Sequence, residues 1–249
     1  MEETYNIKAI VLNRADFREN DSRVTLYSRE RGKMSLVARG ARKVTSKLSS
    51  HIEAATLADI MVVVGKNMNY VGGVVSRNCY ANIKRDFSKL QICGEALRFF
   101  DKIVKPDLAD VVVFKLLEDF LVIMNDKDIS FFDDANDEDE NFLHYRIFLY
   151  AFLIKLLAIL GYQPSLGECV VCKKNILEND YKMDYLNGGL VCKEHSKQGN
   201  ATVSNDVIKF LRLLFDNNLE DFIKYKIKKE HIHQFIETIK TFIKYQNIA

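Results

Sequence analysis

Two short pairs of metal-ligating residues constrain this chain more than any other stretch: Cys169-Val170-Val171-Cys172 and Cys192-Lys193-Glu194-His195. A C-x-x-C turn presents two thiolates to one ion, and a second pair about twenty residues later completes four soft donors. That is the donor set of a tetrahedral zinc ion. A fold that uses it must bring residues 169–172 and 192–195 to one point, within a loop of about residues 165–198. Two other readings apply to the same residues, a redox dithiol at Cys169 and Cys172 or reduced thiols without metal. A redox pair requires neither Cys192 nor His195, and no thioredoxin-like βαβ pattern precedes it. The residues are therefore read as holding one Zn2+. Four protein ligands leave no position open for water, so the expected role is structural. The H-x-E…P-C-x-x-C pattern of zinc deaminases is absent. Lys173, Lys174, Lys193 and Lys197 beside the site are read as solvated surface.

An odd cysteine count, five in all, most of them at metal-ligand spacing, fits a reducing compartment better than a disulfide framework. Cys79 and Cys93 are expected in the core. No apolar run approaches the roughly 18 residues of a membrane span, and the start Met-Glu-Glu-Thr-Tyr lacks a basic leader. The expected location is the cytoplasm, with no membrane partner. The 249 residues suffice for one large or two modest domains, and only two prolines argue against long extended linkers.

From Ile7 to about Ala81 the pattern is strand. Ile7–Leu12, Arg23–Tyr27, Gly32–Gly40, Leu57–Val64 and Asn69–Val75 are short β-rich runs. Gly72-Gly73 invites a bulge, and Gly65-Lys66-Asn67 reads as a hairpin turn. Five strands in about 80 residues suit an OB-type barrel, and an SH3-like barrel fits the count nearly as well. After Lys84 the period lengthens. Phe87 to Ile103 predicts an amphipathic helix stopped before Pro106, and Leu108 to about Met124 a second. Asp126–Glu140, with Asp133, Asp134, Asp137, Glu138 and Asp139, reads as a solvated acidic loop. Helices follow at 142–160, 207–215 and about 230–245, the first capped near Asn141 and ended by Gly161 and Pro164, the second capped at Ser204. The predicted fold class is α+β: residues 1–82 form the barrel, and residues 83–249 form a helical domain carrying the metal loop.

Net charge is only +2, yet it is segregated. No acidic residue occurs between Glu30 and Glu53, whereas Arg31, Lys33, Arg39, Arg42, Lys43 and Lys47 do. Solvated strand and loop surface is the plainer reading of such a run. Two features favour nucleic acid. Lys33 and Arg39, six apart on a strand, share a face. The loop Gly40–Lys47 carries small hydroxylated residues suited to lie against phosphates. With no tryptophan, and only Phe17, Tyr27 and Tyr70 as nearby rings, sequence-tolerant backbone contact is expected. Catalysis has little support. His51, His144, His231 and His233 lack a nucleophile at motif spacing, Asp16, Glu19 and Asp21 read as turn punctuation, and no P-loop, G-x-S-x-G or H-E-x-x-H occurs. The protein is not expected to be an enzyme.

Lys8–Leu12, Asp16–Ser28, Gly32-Lys33, Val37–Lys43 and Ser46–Leu48, followed by Leu160-Gly161-Tyr162-Gln163-Pro164, Cys169-x-x-Cys172 and Gly188–Cys192, resemble the bacterial RecO family over nearly the whole chain. The resemblance implies an N-terminal OB fold, a helical domain and a zinc-binding segment. It also implies recombinational DNA repair: binding of single- and double-stranded DNA, annealing of complementary strands, and help in loading RecA onto DNA coated by single-strand-binding protein. The partners it implies are RecR, in some members RecF, and single-strand-binding protein, in a cytoplasmic, nucleoid-associated setting. The family often carries Cys where this chain has His195; zinc accepts either, and Glu194 is the alternative fourth ligand. On this reading Lys33, Arg39, Arg42, Lys43 and Lys47 form the DNA-binding surface, with Arg14, Arg31 and Arg77 as lesser contributors. The rival is a structural zinc-containing adaptor that works through protein contacts.

Overall fold

Five N-terminal strands curl into a small barrel in a computed structural model that describes residues 3–132, 138–176 and 180–246. They are β1 (Thr4–Phe17), β2 (Asp21–Ser28), β3 (Gly32–Ala38), β4 (Thr56–Val63) and β5 (Tyr70–Asn78), in the order β1-β2-β3-β5-β4. All neighbours are antiparallel except β3 and β5, whose parallel seam has a single register pair, Val37 with Tyr70. There the Val37 N–H donates to the Asn69 carbonyl at 2.9 Å. Of the two barrels the strand count allowed, this is the OB arrangement.

Alternation builds the core. Ile7, Ala9, Val11, Val24, Leu26, Leu36, Ala38, Ile60 and Val62 face inward and are buried together. β1 is longer than the expected Ile7–Leu12. A bulge between Val11 and Asn13 bends it, so that its first half pairs with β4 and its second half with β2. Its polar end, Asn13 to Asp16, carries no apolar signal, yet it still pairs. The bulge expected at Gly72-Gly73 is present: the register slips so that Gly72 is the extra residue, and a Cβ there would lie 2.6 Å from Val63 Cγ2.

Three helices complete the first unit: α1 (Ala81–Arg85), α2 (Phe87–Ile103) and α3 (Val111–Asp126). Asp86 caps α2 by accepting the Lys89 N–H, and Asp110 caps α3 by accepting those of Val112 and Val113. They cover part of the barrel's outer surface. Tyr27 points outward from β2 but is fully buried, edge-on to Phe100 at 5.1 Å and stacked on Phe114 at 6.5 Å. Its hydroxyl accepts the Asp110 N–H at 3.1 Å. Gly32, at φ +70°, lies so close to the α2–α3 connection that a Cβ would collide with the Leu108 carbonyl. The compact unit accordingly runs through Lys127, and the boundary expected at residue 82 is the end of the barrel alone.

The second unit starts at Asp128. It contains α4 (Glu138–Ile159), the hairpin β6 (Tyr181–Asp184) and β7 (Gly189–Cys192), then α5 (Asn205–Asp216), α6 (Leu219–Phe222) and α7 (Lys229–Tyr245). Asp133, Asp134 and Asp137 of the expected acidic loop lie outside the described residues, as do residues 177–179 of the metal loop. Glu138 and Asp139 begin α4 instead of lying in that loop. Contrary to the sequence expectation, α4 is long and apolar enough to cross a membrane by length and composition. Its Ile147 to Ile154, Leu156 and Leu157 are buried within the unit, as a helix apolar on every side requires. Lys155 of α4 donates to the carbonyls of Leu214 and Asn217 at 2.8 and 2.6 Å, satisfying the open end of α5.

Candidate metal centre and nucleic-acid interface

Cys169 and Cys172 sit in a tight knuckle. The Lys173 N–H donates to the Cys169 carbonyl at 2.9 Å, and Lys173 takes the left-handed conformation, φ +60°, that turns the chain back. The knuckle packs on β7, where the Val170 N–H donates to the Leu190 carbonyl and a Cβ at Gly189 would lie 2.7 Å from Val170 Cγ1. β7 ends at Cys192, and one 3-10 turn, Lys193–His195, carries His195 round to face it. Arg212 of α5 fixes the start of the loop through the Leu166 carbonyl.

Cys169, Cys172, Cys192 and His195 thereby bring their donor atoms within 4.8 Å of one another. Zinc–thiolate bonds of about 2.3 Å imply a tetrahedral edge of about 3.8 Å. The Cys172–Cys192 sulfur separation is 3.9 Å, and His195 Nδ1 lies 3.2 Å from the Cys192 sulfur. Three sulfurs and one imidazole at this spacing fit a metal ion. Glu194 is exposed, 3.8 Å from Lys174, and outside the cluster. Burial works against a thiolate at Cys169, but the N–H groups of Cys172, Cys192 and Val171 outweigh it and hold the pKa down to about 6. Cys192 moves the other way, raised by burial and by the Cys169 and Cys172 sulfurs beside it. Crowded sulfurs that resist a second negative charge are relieved by a cation.

The eight cations assigned to nucleic acid divide into distinct groups. Lys33 lies near the start of β3 and Arg39 in the turn just past its end, about 20 Å apart along the strand direction. The Lys33 end lies under the helices: its side chain is 16% exposed, and its ammonium lies 3.3 Å from the Asp101 carboxylate and also donates to the Asp101 carbonyl. Arg14 is equally committed. Its guanidinium reaches Ser22, the Ala41 carbonyl, Ser49 and Glu53, bracing the loop after β3. Arg42 pairs with Asp16 at 3.1 Å and Arg77 with Asp59, both on the surface. Arg31 lies over Tyr5 at 4.1 Å and Arg39 over Tyr70 at 3.8 Å. Arg31, Arg39, Lys43 and Lys47 are exposed and have no acidic partner among the described residues.

Tyr27, read as a stacking face, is unavailable beneath α2 and α3. Phe17 is half-buried, with Arg23 and Arg18 over its ring at 4.7 and 5.1 Å. Sequence reasoning passed over Arg18 and Arg23 because acids alternate with them. Those acids are used locally: Asp21 accepts the Gly40 N–H and Asp16 holds Arg42. Exposed Lys66, in the β4–β5 connection, was likewise passed over.

Three histidines outside the metal cluster have local partners, and His233 is exposed. His51 Nδ1 meets the Ser76 hydroxyl at 2.9 Å. Buried His144 accepts the Phe131 N–H at 3.0 Å and stacks on Phe132 at 3.9 Å. His231 lies between the Ser204 hydroxyl, at 3.4 Å, and Asp206, at 3.1 Å. That trio looks like a hydrolytic triad, but the Ser204 hydroxyl is the cap of α5, accepting the Val207 N–H.

Comparison with known proteins gives a consistent result. Residues 1–79 match the family described as "Recombination protein O N terminal", and residues 136–247 match "Recombination protein O C terminal". A protein of Desulforamulus reducens named "DNA repair protein RecO" is 25% identical over 244 residues, 97% of this chain and 89% of its own length. Proteins of that name from Roseiflexus sp. and Syntrophomonas wolfei are 28% and 26% identical. Those matches cover 76% and 92% of this chain and 62% and 87% of the relatives.

Proposed function

The chain belongs to the RecO family of recombination proteins, and from that premise we propose that it is a DNA-repair mediator that binds single- and double-stranded DNA and anneals complementary strands. The observation that carries this reading is the unneutralised group Arg39, Lys43 and Lys47 at one end of an OB barrel, with Arg18 and Arg23 on the Phe17 ring nearby. OB barrels take oligonucleotides on the strand 2–3 face and in the loops between strands 1 and 2 and between strands 4 and 5. Arg23, Arg39, Arg18 and Lys66 occupy those places.

Annealing requires no bond-breaking residue, and we read the protein as a non-enzyme. Two strands repel through their phosphates. A cationic face lowers that repulsion while leaving base edges free to pair. Arg39 and Arg23, resting on aromatic rings, can turn to phosphates and leave Tyr70 and Phe17 for stacking bases. The metal we assign is zinc, one ion per chain on Cys169, Cys172, Cys192 and His195; bound there, it cross-links the knuckle to the end of β7 and has no part in a reaction.

In this reading the protein works in the bacterial cytoplasm with RecR, in some settings RecF, and single-strand-binding protein, and so helps RecA onto coated DNA. A groove of about 260 Å3 in the second unit supports a peptide-binding role. Phe210, Leu213 and Ile227 line it beside Lys209, Lys226, Lys228 and Asp206, with Lys226 donating to Ser130 and Lys228 facing Asp206. Apolar surface with a net positive rim is thus offered to an acidic, apolar segment such as the tail of single-strand-binding protein. The deciding experiment is annealing of complementary oligonucleotides precoated with single-strand-binding protein, with and without RecR. Faster pairing in the presence of the chain is expected. No salt-dependent DNA binding and no acceleration would leave the adaptor reading in its place.

A further inference from the structure

Val44 is the most exposed large apolar side chain among the described residues, at 104% relative exposure. It stands at the apex of the loop that leaves β3. Single exposed valines are common on loops and by themselves mean little. This apex differs in how firmly it is held and in what surrounds it. Ala41 anchors one limb in the barrel core, and Leu48 packs against the same core from the other limb. Two successive turns build the tip, with the Lys43 N–H donating to the Gly40 carbonyl at 3.1 Å and the Ser46 N–H to the Lys43 carbonyl at 2.9 Å. The Arg42 N–H is tied to the Asn20 carbonyl at 3.0 Å, and Arg14 clamps the Ala41 and Ser49 carbonyls.

The braced tip carries Lys43 on one side of Val44 and Lys47 on the other, both exposed and without an acidic partner among the described residues, while Arg42 is held by Asp16. A polyanion is the partner this charge favours, and a nucleic-acid strand offers apolar base faces a few ångströms from its phosphates. Valine suits insertion between them: it is compact, stiff at χ1 and has no polar group to desolvate. Resting on the DNA-binding reading above, we propose that Val44 is a wedge that enters between neighbouring bases of a bound single strand and unstacks them. Proteins that kink nucleic acid insert apolar side chains flanked by cations in this way. An unstacked step presents its pairing edges to an incoming complement.

The test uses the full-length protein and a single-stranded oligonucleotide with 2-aminopurine at every third position, whose emission rises on unstacking; anisotropy on a terminal dye reports binding separately. Binding of the unaltered protein should raise the emission. Val44→Ala should still bind within about tenfold, because phosphate contacts set the affinity, but lose most of the emission rise, and Val44→Leu should restore it. An equal rise for Val44→Ala and the unaltered protein at saturation overturns the wedge. Binding by the unaltered protein with no rise also overturns the wedge but leaves the DNA-binding reading standing, whereas failure of the unaltered protein to bind removes both.

Discussion

The Arg39 guanidinium lies 3.8 Å from the centre of the Tyr70 ring, directly over the seam where β3 meets β5. A residue from the cationic loop and a residue from the closing strand therefore form one surface. That surface, and not the whole outer face of β3, is where the DNA-binding reading concentrates.

Charge reversal of Arg39, Arg42 and Lys43 to Glu should lower affinity for single-stranded DNA by at least about 100-fold at low salt. It should also flatten the plot of log affinity against log salt by about 0.7 for each phosphate the variant no longer neutralises. Fluorescence anisotropy at several salt concentrations measures both. A folded triple mutant with unchanged slope would exclude these residues.

Lys33 should behave differently although it lies in the same basic stretch. Its partner is Asp101, so Lys33→Met should leave DNA affinity within about twofold and lower unfolding stability by about 1–2 kcal/mol, the ordinary net worth of a part-buried charged hydrogen bond. Denaturant titration beside the anisotropy assay separates the two effects. A large loss of affinity at full stability would return Lys33 to the interface.

Metal analysis of purified protein should find about one zinc per chain. Cys169→Ser or Cys192→Ser should lower both metal content and thermal stability. Metal affinity should also fall as pH drops from 8 towards 6, because Cys192, whose pKa is raised by burial and by the neighbouring sulfurs, must lose its proton to bind the ion throughout that range. Native metal content in either variant would show that the cluster is not the cage.

His144 supplies a pH signature of folding. Burial, aided by Lys226 and Lys229, lowers its pKa below the ordinary value of 6.5. At pH 7.5 it is neutral in both folded and unfolded chains and adds no pH dependence. Below about 6.5 the unfolded chain takes up a proton that the folded chain resists, so stability falls with falling pH until the folded pKa is passed. His144→Asn, which keeps an acceptor for the Phe131 N–H, should flatten this part of the stability–pH curve. An unchanged curve would assign the acid sensitivity elsewhere.

The barrel and the metal cluster were legible in the sequence because each rests on local regularity: alternation in the strands, fixed spacing in the ligands. Gly72 announced its bulge for the same reason. What stayed hidden depends on tertiary cover. Nothing in Gly32–Ala38 says that α2 will take Lys33 through Asp101, or that Tyr27 will be sealed beneath Phe100 and Phe114. Arg18 and Arg23 were masked by neighbouring acids, and only the fold reveals that those acids are spent on Gly40 and Arg42. Ser204 and His231, 27 positions apart, meet only because α5 and α7 start side by side.

The one-pair seam between Val37 and Tyr70 also has a mechanical meaning. A hoop of paired strands springs first at its thinnest joint, and here the joint is a clasp worn on the outside, beneath Arg39. Whatever grips that arginine and ring from solvent also holds the hoop shut. Exchange of the Val37 amide proton with water should therefore slow on occupancy, so the barrel itself signals when a ligand has arrived.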